Sequence, residues 1–110
     1  ITMSILRAMV IETLRGNNEP RGVGILSAEN PRGIKGEEHL NQERHNDLHD
    51  LLIKLGYDFH HTEGEYLGIP ERAVVINGIT MSELKALAQR FQQESFLFGP
   101  RSELRLYSAH

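Results

Sequence analysis

The chain has 110 residues, 39% of them hydrophobic and 25% charged, with a formal net charge of −3 and no cysteine. These values fit one ordinary globular domain over residues 1–110, and they exclude disulfides, thiolate metal sites and cysteine nucleophiles. A mildly acidic balance gains little from counterion release, so no nucleic-acid partner is expected. No apolar run approaches the ~20 residues that cross a bilayer, so no membrane partner is expected either. The absence of cysteine and of a signal-peptide layout makes the cytoplasm the expected location.

The first predicted element is an amphipathic helix over residues 3–15. Ile5, Leu6, Met9, Val10 and Leu14 form its apolar stripe, and Gly16 to Pro20 end it. Val23 to Ala28 reads as a short buried strand. Glu29 to Gly36 follows as a loop, because Pro31 disfavours helix at Asn30 and two glycines loosen the remainder. A long helix is predicted over Glu37 to Leu55, stopped by Gly56, with Leu40, Leu48, Leu51, Leu52 and Leu55 as its stripe.

Tyr57 to Leu67 reads as a strand interrupted at Gly64, and Gly68-Ile69-Pro70 as a turn. Arg72 to Ile76 is β-branched and apolar, the clearest strand of all. Thr80 with Glu83 three residues on makes a capping box, opening a helix that buries Leu84, Leu87, Ala88 and Phe91. Glu94 to Phe98 is the next strand, and a last strand is expected within residues 101–108.

After the N-terminal helix, residues 23–99 therefore read β-α-β-β-α-β. The expected fold class is α+β: a ferredoxin-like antiparallel sheet with an extra N-terminal helix and a C-terminal strand. In that topology the loop after the first strand, the start of the long helix, the turn around Gly64 to Glu71 and the end of the second helix meet at one end. They bring together Glu29, Asn30, Arg32, Asn41, Arg44, His45, Glu63, Glu65, Tyr66, Glu71 and Gln93. An inward-leaning Arg44 needs a partner, because an unpaired buried charge is costly, and Glu71 or Glu65 can supply it.

The stretch Ser27-Ala28-Glu29-Asn30-Pro31-Arg32-Gly33, then Asn41-x-x-Arg44-His45, then Glu71, then Phe91-x-Gln93 resembles the domain-of-unknown-function family 3293. The resemblance covers about residues 23–99. Family members often carry Trp near the first motif and before the Glu, where this chain has Glu29 and Pro70 nearby. The resemblance implies a site at these positions and no particular reaction.

Other patterns carry less. His45 and His49 share a helix face but need a third ligand, and Asp50 does not share that face. His61, Glu63 and Glu65 alternate along a strand, which suits a solvent-facing edge as well as an ion. No metal site and no cofactor are expected: Gly22-Val23-Gly24 precedes a strand and lacks the third glycine of a dinucleotide loop, and there is no phosphate-binding loop.

Three readings of function follow. In the first, Asn30, Arg32, Asn41, Arg44, Glu71 and Gln93 bind a small anionic or polar ligand, with the arginines clamping a carboxylate or phosphate. In the second, the cluster is a structural salt-bridge network and the chain is a homo-oligomeric interaction module, dimerising through the N-terminal helix. RNA binding through the sheet is third, since it needs exposed aromatics on central strands and Arg72 to Ile76 has none.

Overall fold

A computed structural model describes residues 19–110; the helix expected over residues 3–15, and the dimer contact assigned to it, lie outside the described residues. The described chain is α+β. Its elements run β1 (Arg21–Leu26), a 3-10 turn (Pro31–Gly33), α1 (Glu38–Leu55), β2 (Asp58–Tyr66), β3 (Ile69–Thr80), α2 (Met81–Arg90), β4 (Ser95–Gly99) and β5 (Arg105–Ser108). The five strands form one sheet in the order β2-β3-β1-β4-β5, and every neighbouring pair is antiparallel.

The ends of the elements follow local chemistry. Gly56 stops α1 in the left-handed conformation (φ 78°), its N–H donating to Ile53 O. The capping box at the start of α2 is complete: Glu83 N–H donates to Thr80 Oγ1 at 3.1 Å, and Thr80 N–H donates to Glu83 Oε1 at 3.0 Å. β1 ends two residues earlier than expected because Ser27 leaves the ladder. Its hydroxyl accepts the Glu29 N–H and donates to Arg72 O.

The β2–β3 hairpin departs most from the sequence pattern. Its turn is the pair Leu67-Gly68, both with positive φ (51° and 80°), and pairing begins at once with Tyr66 opposite Ile69. Gly64 does not interrupt β2; it pairs with Glu71. Pro70 fits inside β3 because it lies beyond the last β1–β3 pair, Leu26 with Val74, so its missing N–H is not needed on that side. The final strand is shorter than residues 101–108, since a turn closed by Glu103 N–H to Pro100 O occupies its expected start.

The core lies between the two helices and one face of the sheet. Leu48, Leu51 and Leu52 of α1 and Leu84, Leu87 and Ala88 of α2 cluster with Leu26, Val74, Ile76 and Phe96. Leu40 is not part of the α1 stripe and is 47% exposed. The inward positions are Asn41, His45, Leu48 and Leu52, each about one turn from the next, with Leu51 beside them, and Leu40 falls off that line. The helices sit tightly: a Cβ placed on Gly24 of β1 would lie 2.5 Å from Leu84 Cδ2 and 3.2 Å from Ile79 Cγ2.

Alternation along the strands turns the next set of residues to the other face. Ile25 pairs with Leu97, and Leu97 with Leu106, so these three apolar side chains form a row across the sheet on the face away from the helices. His61 pairs with Val74, on the helix side.

Candidate functional site

The polar end of the domain is organised by Asn30. It is 3% exposed and left-handed (φ 48°, ψ 61°), a conformation that asparagine tolerates better than other side chains with a Cβ. Its side-chain oxygen, its side-chain nitrogen and its backbone N–H each take part in hydrogen bonds. Its Oδ1 accepts from Gly36 N–H and Asn41 Nδ2, each at 2.9 Å, and its Nδ2 donates to Glu71 Oε2 at 3.1 Å. Its own N–H donates to Asn41 Oδ1 at 2.9 Å, so the two asparagines face each other in a reciprocal pair.

Gln93 and Arg44 tie the same corner to the end of α2. Gln93 Nε2 donates to Glu29 O at 3.0 Å and to Phe91 O at 3.1 Å. Arg44 does not pair with Glu71 or Glu65. Its Nε donates to Ala28 O at 2.6 Å and its guanidinium also donates to Phe91 O, so it bridges the loop after β1 and the C-cap of α2 through backbone carbonyls. Burial first, and Arg90 second, lower the Arg44 pKa. Five of the six expected site residues thus fall into two adjacent sets: Asn30 bonds to Asn41 and Glu71, while Arg44 and Gln93 share Phe91 O and hold the carbonyls of Ala28 and Glu29, next to Asn30 in the chain. Arg32 is apart: it is exposed, and its side chain lines a separate hollow with Gln92 and His110.

Two residues outside those six, Glu29 and Arg72, are built into the same end. Glu29 is 3% exposed and accepts both the backbone N–H and the guanidinium of Arg72. Arg72 in turn reaches Gln42 and Glu38 on α1. The sequence places Glu29 at this end of the domain without giving it a partner, and Arg72 reads as the start of an apolar strand.

A cavity of about 490 Å³ opens beside this network on the helix-free face. Ile25, Ala73, Leu97 and Leu106 supply apolar lining, and Asn30, Glu65, Tyr66, Glu71, Gln93 and Glu94 supply the polar groups. Tyr66 donates its hydroxyl to Glu94 Oε1 at 3.0 Å, and that bond raises the tyrosine pKa. No arginine or lysine lines this cavity among the described residues. Burial, followed by the nearby Glu29 charge, raises the Glu71 carboxyl above its ordinary value, against the hydrogen bond from Asn30.

A raised carboxyl has a defined consequence for stability. The folded state binds the Glu71 proton more tightly than the unfolded chain does. The favourable contribution is therefore complete below the unfolded value and lost as pH rises through the folded one. Glu71→Gln keeps an acceptor for Asn30 and removes the titration. Its stability relative to the parent chain should improve between about pH 4 and pH 7, as read from urea midpoints at both values; an unchanged difference would contradict the shift.

A second cleft, of about 590 Å³, lies on the helix side between α1 and β2 and is lined by His45, His49, His61, Glu63 and Arg72 among others. His45 Nε2 stands 2.9 Å from His61 Nδ1, and His61 Nε2 stands 2.9 Å from His49 Nδ1. The two histidine patterns of the sequence, one on the helix and one on the strand, meet here. Burial first, then His61, lowers the His45 pKa.

A family model described as a protein of unknown function (DUF3293) matches residues 26–96, more than half of the chain and including every residue of the Asn30 network. No curated protein and no solved structure matches the chain. No helix among the described residues is long and apolar enough to cross a membrane.

Proposed function

This chain belongs to the DUF3293 family, and on its own geometry we propose that it binds a small polar ligand in the cavity beside Asn30 and Glu71. One observation carries the reading: a half-buried carboxylate, fixed by Asn30, stands in the wall of a cavity whose floor is apolar and whose lining, among the described residues, holds no arginine or lysine. Such a site favours a ligand with an apolar body and a hydrogen-bond-donating or cationic head. An anionic head is the weaker choice, since Arg44 is committed to Ala28 and Phe91 carbonyls and Arg32 faces another hollow. A carboxyl held above its ordinary value is also able to exchange a proton with a bound substrate.

We read the sheet as ferredoxin-like in its first four strands. The order β2-β3-β1-β4, with α1 and α2 as the crossovers, supports this, and β5 extends the edge beside β4. The cysteine-free composition supports a cytoplasmic location. A second reading, an interface between copies of the chain, draws on Leu67 and Leu106, which are 81% and 66% exposed at the cavity.

Titration with benzylamine, and with benzoate as its anionic counterpart, tests the ligand reading. Benzylamine is expected to bind more tightly than benzoate. Glu71→Gln is expected to weaken it about tenfold, equivalent to ~1.4 kcal/mol. Preference for benzoate, or equal benzylamine affinity in the variant, would overturn the reading.

A further inference from the structure

The histidine cleft is separate from the cavity beside Glu71 and has its own chemistry. Helical spacing puts His45 and His49 on one face of α1, one turn apart. Strand alternation and the pairing of His61 with Val74 put His61 on the helix side of β2, and Glu63, paired with Arg72, follows on the same side. The outcome is a buried imidazole on the helix facing an exposed one on the strand, nitrogen to nitrogen at 2.9 Å.

We propose that His45 Nε2 and His61 Nδ1 hold a divalent transition-metal ion between them, with His49 orienting His61 from behind. Two nitrogens bound to one tetrahedral ion at ~2.0–2.1 Å stand ~3.3 Å apart, so the observed pair needs to open by only a few tenths of an ångström. Imidazole donors select zinc, copper or nickel over magnesium or calcium. In the bound state each ligating ring carries its proton on the far nitrogen. That proton on His61 Nε2 donates to His49 Nδ1, 2.9 Å away, the outer-shell contact that fixes a ligating histidine's tautomer. On His45 the far nitrogen, Nδ1, is buried with no hydrogen-bond partner among the described residues.

No group of three His, Cys, Asp or Glu side chains among the described residues is arranged to hold an ion as it stands. The site is therefore a two-imidazole one. Its remaining coordination positions face the cleft and are left to water. Arg72 also lines the cleft, but its guanidinium is already paired with Glu29 and Glu38.

Calorimetric titration of the full chain with zinc chloride is the test. The parent chain should bind one zinc ion. His45→Asn and His61→Phe should abolish that binding, and His49→Gln should weaken it by about 10–100-fold. His60→Gln, on the opposite face of β2, should leave it unchanged. Absence of zinc binding to the parent chain, or retention of its affinity in folded His61→Phe, would overturn the proposal, as would an equal loss in His60→Gln. Should His61→Phe fail to fold, nitrogen-15 imidazole shifts of the parent chain decide. Zinc should move His45 Nε2 and His61 Nδ1 most, and a largest shift at His39, His60 or His110 would contradict the assignment.

Discussion

Asn30→Ala is expected to destabilise the domain by about 3–5 kcal/mol, a large share of the ~5–15 kcal/mol that holds a typical domain folded. The substitution removes three side-chain hydrogen bonds at once. It leaves Gly36 N–H without its acceptor, strips Asn41 Nδ2 of its shorter contact, and takes the donor from Glu71 Oε2. Each buried group left unsatisfied costs ~1–3 kcal/mol, partly relieved where water can enter from the cavity. Alanine is also strained at φ 48°, at a cost of ~1–2 kcal/mol. Asn30→Gly separates the two causes, because glycine relieves the backbone and restores none of the hydrogen bonds. Urea denaturation should show Asn30→Gly recovering only the smaller part of the loss; full recovery would mean that the network contributes little.

Glu29→Ala is the second large effect, expected at about 2–4 kcal/mol. Removing one member of a buried ion pair typically costs ~3–5 kcal/mol because the other charge is left uncompensated. The value here is set lower because the Arg72 side chain is 28% exposed and retains Glu38 and Gln42. The backbone N–H of Arg72 loses its acceptor as well. Arg72→Met removes the stranded charge, so Glu29→Ala combined with Arg72→Met should be less damaging than the sum of the two single changes. Strict additivity in that cycle would mean that the pair is not coupled, contrary to its geometry.

Much of this architecture is legible in sequence because local signals and burial agree. The capping box at Thr80 and Glu83, the Gly56 stop and the apolar run before it each have one physical meaning, and all three occur where the pattern puts them. The hairpin was harder. Gly68 and Pro70 both signal a turn, and only the pairing of Tyr66 with Ile69 shows that the turn is Leu67-Gly68. Leu40 misleads because its apolar character competes with Asn41 for the inward position. A polar residue wins there, since Asn30 offers it a reciprocal pair of hydrogen bonds.

The convergence of the candidate residues is legible to a similar degree. Asn30, Asn41, Arg44, Glu71 and Gln93 are polar residues at the ends of elements that the topology brings together. Their partners were not legible. An arginine satisfied by backbone carbonyls looks the same in sequence as one paired with a carboxylate, which is why Arg44 with Ala28 and Phe91 could not be foreseen. Glu29 and Arg72 stand 43 positions apart, and their pairing depends on Ser27 pulling the chain out of the β1 ladder. The facing of His45 and His61 likewise depends on the register of β2 against β3.

On the proposed reading, the cavity on the helix-free face, rather than the histidine cleft, receives the small polar ligand. A two-dimensional amide NMR titration of the full chain with benzylamine tests it most directly. Shifts should concentrate at Asn30, Glu71, Ala73, Gln93 and Leu97, around the cavity, and be much weaker with benzoate. Shifts centred instead on Gln42, His49 and Glu63 of the other cleft, or the same map with benzoate, would contradict it.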